Sequence, residues 1–183
     1  MKNKKSQAVI IDLFIALFIF VLLLSITLIM WNKYANEINE KVIQKEMWIK
    51  AYQITDILVQ SEGIPKTWHK NFSNINSLGL ATMDRKLSLD KLNAFLNLTL
   101  LDGLNVSWSD TTDGYDLIKE LLNIEGFEFY FRLFNIYGVN IAESGRDPTF
   151  YGNTVSGTTT IRRYVSLEEC ERCVLEISLW NEE

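Results

Sequence analysis

The chain has 183 residues, with 18 Lys and Arg against 23 Asp and Glu, a formal net charge of -5, one histidine and two cysteines. An acidic balance gives no support to nucleic-acid binding through a basic patch, and a single histidine excludes a histidine-based triad or a multi-histidine metal site. The length suits one ordinary domain plus an appendage.

The appendage comes first. After Lys2, Lys4 and Lys5, the stretch from Ala8 to Met30 reads AVIIDLFIALFIFVLLLSITLIM and carries one charge, Asp12. At 1.5 Å per residue it covers roughly 34 Å, enough to cross the hydrocarbon core of a bilayer. The run is longer than the 7–15 apolar residues typical of a removable secretory signal, and no small-x-small cleavage site follows it. A retained membrane helix is the expectation. The lysines before the span have no acid among them, whereas Lys33, Lys41 and Lys45 beyond it are interleaved with Glu37, Glu40 and Glu46. That asymmetry predicts a cytoplasmic N-terminus and an external remainder.

The helical pattern continues past the span. No proline or glycine interrupts it until Gly63 and Pro65, and Tyr34, Ile38, Val42, Met47, Ile49, Tyr52, Ile54 and Leu58 recur at three- and four-residue steps. Residues 7 to about 61 therefore read as one helix about 80 Å long, apolar in its first half and amphipathic in its second. A helix of this kind is marginal in water unless its outer half packs on something.

The rest reads as a small α+β head over 62–183. Ser88 is placed to cap a short helix, LDKLNAFLN, and Asp113 a second, YDLIKELLN, ending near Gly126. Leu104, Val106 and Trp108 alternate with polar neighbours as in a short strand. Three stronger alternations follow: Phe127, Phe129, Phe131 and Leu133; Ile161, Val165 and Leu167; and Leu175, Ile177 and Leu179. Period-2 patterning predicts an antiparallel sheet with one covered face and one wetter face, the long helix being the natural cover. GVNIAESGRDPTFYGNTVSG, between the first two of these strands, reads as a long polar loop.

Candidate chemistry is sparse. His69 beside Trp68 reads as a surface or packing residue. Cys170 and Cys173 have redox or zinc spacing, but two thiolates alone cannot close a tetrahedral zinc site. They are expected in the turn between the last two strands, as a local disulfide or as free thiols. Glu168, Glu169 and Glu171 read as a solvated edge without EF-hand spacing. Asn71, Asn97 and Asn105 begin N-glycosylation acceptor patterns. With no phosphate loop, nucleophile elbow or paired-acid constellation, neither enzymatic activity nor a cofactor is expected.

Asp12 poses the remaining question. Near the edge of the span it can snorkel towards water or towards Lys5, or it can pair with a positive charge supplied by another chain. Lys4-Lys5-Ser6-Gln7 followed by an apolar helix with an early acid resembles the class III signal peptide of archaeal type IV pilin-like proteins. GIPKTWH, SLGLA and the C-terminal RRYV…LEISLW resemble the heads of that family. The resemblance implies cleavage by prepilin peptidase between Ser6 and Gln7, on the cytoplasmic side, with the helix retained. It implies a filament of this and other pilin-like subunits, built by a membrane assembly platform. Asp12 would then neutralise the new N-terminal amine of a neighbouring subunit. This chain has serine before the cut where glycine is common, and its acid is the sixth mature residue, aspartate, where glutamate at the fifth is usual. The organisation expected is a leader at 1–6, a membrane part at 7–30, an external helical part at 31–61 and the head. The competing expectation is a permanently anchored single-pass protein whose external domain binds a ligand or partner.

Overall fold

A computed structural model describes residues 3–100, 104–106, 109–149, 157–168 and 170–181. The chain forms two compact units, Met1–Ile43 and Gln44–Glu183. The first helix, α1 (Asn3–Gln60), contributes to both.

Among the described side chains of the first unit, residues 12–43, all are exposed except the half-buried Ala35. Leu13, Phe14, Phe18 and Ile29 are exposed, as are Trp31, Tyr34, Ile38 and Val42. The second unit surrounds a single core. There Met47, Ala51, Ile54 and Leu58 are buried at steps of four, three and four, joined by Val59. Each of these side chains larger than alanine contributes about 1.5–3 kcal/mol when removed from water. Ile49 and Tyr52, grouped with these by spacing alone, point outwards instead. Helical periodicity marks apolar positions but cannot say which of two apolar faces will be covered.

The segment after α1 satisfies carbonyl groups that a helix end leaves without internal partners. Leu80, Arg85 and Ala81 donate their backbone N–H groups to the carbonyls of Leu58, Val59 and Ser61 at 2.9–3.0 Å. This close approach fixes Gly79: a Cβ there would collide with the Ser61 carbonyl and the Gly63 nitrogen. The Gly79 carbonyl accepts the indole N–H of buried Trp68 at 3.0 Å.

Strands β1 (Ala81–Met83) and β2 (Lys86–Leu87) form a short hairpin, followed by helix α2 (Leu89–Leu98). Ser88 caps α2 by accepting from the Lys91 backbone N–H, and Leu92, Phe95 and Leu98 enter the core. Strands β3 (Leu104–Val106) and β4 (Ser109–Thr112) pair separately, and Trp108 lies outside the described residues. Helix α3 (Gly114–Leu121) follows, with Asp113 in extended conformation at its N-cap position.

The main sheet comprises β1 and β2 with β5 (Glu128–Asn135), β6 (Asn140–Gly145), β7 (Thr159–Leu167) and β8 (Cys170–Trp180), in the order β1-β2-β7-β8-β5-β6. Phe129, Phe131, Leu133, Leu175, Ile177 and Leu179 are buried on one face, as their alternation predicts. The fold is thus α+β, a long N-terminal helix packed through its C-terminal part on a small sheet.

Three features depart from the sequence-based reading. Strand β6 occupies part of the expected loop, where it forms an edge whose polar side chains hide its period. The sheet is mixed, because β2 runs parallel to β7 through Lys86 and Ser166. A bulge between Val165 and Leu167 turns the Ser166 N–H outward to the Arg85 carbonyl, 2.8 Å away. Finally, Cys170 and Cys173 begin β8 rather than occupying the turn, and they are joined by a disulfide. Cys170 pairs with Leu167 and Cys173 with Val165, so the bridge lies opposite the bulge to which β2 attaches.

Candidate functional site

Among the described residues, one helix is long and apolar enough to cross a membrane. Asp12 is exposed, nine residues beyond the start of α1. The Ser6–Gln7 bond lies within α1, and the side chains of both residues fall outside the description. Ser25 and Thr27, the other polar residues of the apolar stretch, donate their hydroxyls to the Val21 and Leu23 carbonyls at 2.8 and 2.9 Å. Both hydroxyls are therefore satisfied within the helix, as a hydrocarbon environment demands.

In the second unit the charged clusters lie where alternation alone does not look for them. Glu128 is on the face expected to be wetter, yet it is buried. It accepts from the Tyr115 hydroxyl and the Lys119 ammonium at 2.7 Å each and pairs with Arg146 at 3.2 Å. Tyr115 stacks on Phe129 with ring centroids 4.8 Å apart. Its hydroxyl also accepts the Phe129 N–H at 3.1 Å. Burial pushes the Tyr115 phenol far above its ordinary pKa, and the Glu128 carboxylate reinforces the shift. Along the same face, burial and the hydrogen bond to Glu143 push Tyr130 up to about 12. An open cleft is lined by these tyrosines together with Thr99, Glu143, Ser144 and Arg146.

Lys91 is a second buried charge. Its ammonium donates to the carbonyls of Glu62 and Ala81, both at 2.9 Å, tying the segment after α1 to β1. Burial lowers its pKa below the ordinary 10.5, with Glu62 opposing and Lys66 adding to the shift. The folded chain thus holds this proton less tightly than the unfolded chain. Its contribution to stability therefore rises with pH, from the folded pKa up to about 10.5. Lys91→Met should lose about 1–3 kcal/mol near neutral pH, because two buried carbonyls lose their donor. Its deficit relative to the parent should widen as pH is raised towards 10.5. Urea unfolding midpoints of both proteins across that range check the sign.

The other sequence-derived candidates do not converge. Asn71 and Asn97 are exposed, and the side chain of Asn105 lies outside the description. The Thr99 hydroxyl of the Asn97 acceptor pattern donates to the Leu96 carbonyl at 2.7 Å. His69 is half-buried and meets Trp68 edge-on, with centroids 6.4 Å apart. Glu168 and Glu171 are exposed, and Glu169 falls outside the description. Among the described residues, no group of three or more His, Cys, Asp or Glu gathers in a geometry that could hold a metal ion.

Burial of Lys91, Glu128 and Glu176 is the feature that sequence reasoning missed. The available signal was the placement of Glu128 and Glu176 beside long cationic or aromatic residues on an otherwise polar face. No family model matches this chain, and no curated protein or solved structure does so.

Proposed function

We propose that the chain is a structural subunit of a surface filament of the archaeal type IV pilus class. In this reading it is anchored in the cell membrane with its N-terminus cytoplasmic and its head outside, and is later extracted into the filament. The observation that supports this reading most is an N-terminal helix whose apolar side chains lie bare around its circumference, preceded by a lysine-rich leader and carrying Asp12 early. Bare apolar side chains require lipid or neighbouring helices as cover. Removing Met1 to Ser6 would discard three lysines that oppose extraction from the cytoplasmic side, and would create an amine on Gln7. An aspartate at a membrane centre costs roughly 2.5–3.5 kcal/mol on insertion scales. Near the edge of the span, where Asp12 lies, the cost is smaller, and pairing with the amine of a neighbouring subunit would offset it and orient one helix against the next. Prepilin peptidase, other pilin-like subunits and an assembly platform are the partners this reading requires.

The mature N-terminus tests it, by intact mass and terminal peptide sequencing with and without a co-expressed archaeal prepilin peptidase. We expect a chain beginning at Gln7 only when the peptidase is present. Retention of Lys2 to Ser6 in both cases would leave a permanently anchored single-pass protein with an external binding domain.

A further inference from the structure

The polar face of the main sheet carries a row of charges, one on each of four adjacent strands. Glu143 on β6 faces Arg132 on β5, Arg132 faces Glu176 on β8, and Glu176 faces Arg162 on β7. The groups in this row are not equally committed. Glu143 accepts from the Tyr130 hydroxyl at 2.8 Å and the Asn140 amide at 2.6 Å. The side chain of Glu176 is only 7% exposed, and each of its oxygens is taken by a different arginine. Arg132 Nη2 reaches Oε1 at 2.8 Å, and Arg162 Nε reaches Oε2. Two guanidinium groups, with five N–H donors each, thus converge on one buried carboxylate. Arg132 is held further by the Phe134 ring, 4.9 Å away. The Arg132 side chain is 38% exposed and that of Arg162 65%; Arg132 Nε is buried and Arg162 Nε is bound to Glu176, so the donors left for a ligand are terminal Nη groups.

These two side chains share a concavity of about 160 Å³, lined by Arg132, Phe134, Gly138, Asn140 and Arg162. No carboxylate is among those lining residues. At about 30 Å³ per water molecule, the space holds about five waters, room enough for one sulfate, phosphate or carboxylate group. We propose that Arg132 and Arg162, preorganised by Glu176, form a binding site for a single small oxyanion on the solvent face of the sheet. Glu176 plays a double part. It holds the guanidinium forks in place, and its negative charge, together with that of Glu143, limits affinity to the weak range in which an exchangeable contact operates. The inference rests on the second unit alone and does not depend on the filament reading.

The test uses the full chain in detergent micelles, titrated with sulfate and, in a parallel arm, with acetate at constant ionic strength. The arginine side-chain N–H signals, Nη as well as Nε, are followed by NMR. We expect saturable shifts at Arg132 and Arg162, and none at Arg163, which is bound to Asp56 at 3.0 Å instead. Arg162→Gln should weaken sulfate binding at least tenfold. Glu176→Gln should strengthen it several-fold by removing the adjacent negative charge, an outcome that a purely structural charge row does not give. If Arg162→Gln fails to fold, Arg162→Lys keeps the charge but loses the fork and should still weaken binding. Tighter binding of sulfate than of acetate identifies inorganic anions as the ligand, and the reverse order identifies a carboxylate of another chain. Shifts that grow without saturating at all three arginines, or an affinity unchanged in Glu176→Gln, would overturn the site.

Discussion

Phe131→Ala is expected to lower the free energy of unfolding by about 3–5 kcal/mol. Phe131 is fully buried at the middle of β5. It lies directly opposite Ser144 on one side and Ile177 on the other. Its ring meets Phe95 of α2 with centroids 5.2 Å apart, so truncation removes a contact between the sheet and its helical cover. The strand hydrogen bonds on both sides hold the backbone in place and limit how far the site can collapse around the cavity. Against the 5–15 kcal/mol of a typical domain, this is a large fraction of the whole. Equilibrium urea unfolding checks it, with Tyr164→Ala as the control. Tyr164 is 76% exposed, and its removal should change stability by less than about 0.5 kcal/mol. A loss below about 1.5 kcal/mol for Phe131→Ala would mean that the core repacks far more freely than this strand geometry allows.

Glu128→Ala should be nearly as damaging, at about 3–5 kcal/mol, for a different reason. Deleting the carboxylate leaves the Lys119 ammonium, whose side chain is only 15% exposed, with the face of the Tyr115 ring 5.6 Å away but no carboxylate beside it. Tyr115 is affected less, because its hydroxyl keeps the Phe129 backbone N–H as a partner. The double variant Glu128→Leu, Lys119→Met removes the carboxylate and the buried ammonium while retaining volume, leaves Arg146 with its side chain 42% exposed to water, and should recover most of the loss. The penalty belongs to the orphaned charge rather than to the bond itself. A double variant as unstable as Glu128→Ala would instead point to lost packing around Tyr115. Chemical denaturation of the parent, Glu128→Leu, Lys119→Met and the double variant, read as a thermodynamic cycle, separates the two causes.

How far the fold could be read in advance follows from where local signals and tertiary packing agree. Helix α1 is legible because no breaker interrupts it before Gly63, and α2 because Ser88 immediately precedes its apolar face. Strands β5 and β8 alternate over enough residues for their buried face to be assigned from Phe129, Phe131, Leu175 and Ile177. Strands β1 and β2 are too short to show any period, and their pairing depends on the carbonyls at the end of α1 and on Arg85. Strand β6 is an edge with only Ser144 buried, so its sequence resembles the loop in which it was expected. The burial of Glu128 and Glu176 is invisible to a period-2 reading because neighbouring Lys and Arg stems, not apolar residues, cover them. The roles proposed for Ser6, Gln7 and Asp12 would each involve a second molecule, and a single folded chain has no counterpart to them.

The hydroxyls of Ser25 and Thr27, each turned back onto its own helix, bear on how the span responds to a change of surroundings. A side chain that bonds its own backbone makes no demand on what lies beside it. Along this stretch, replacing hydrocarbon tails with another protein helix, or the reverse, requires neither hydroxyl to break or make a hydrogen bond. In the proposed filament such an exchange would be governed near Ser25 and Thr27 by contact and shape, with no polar latch to release there.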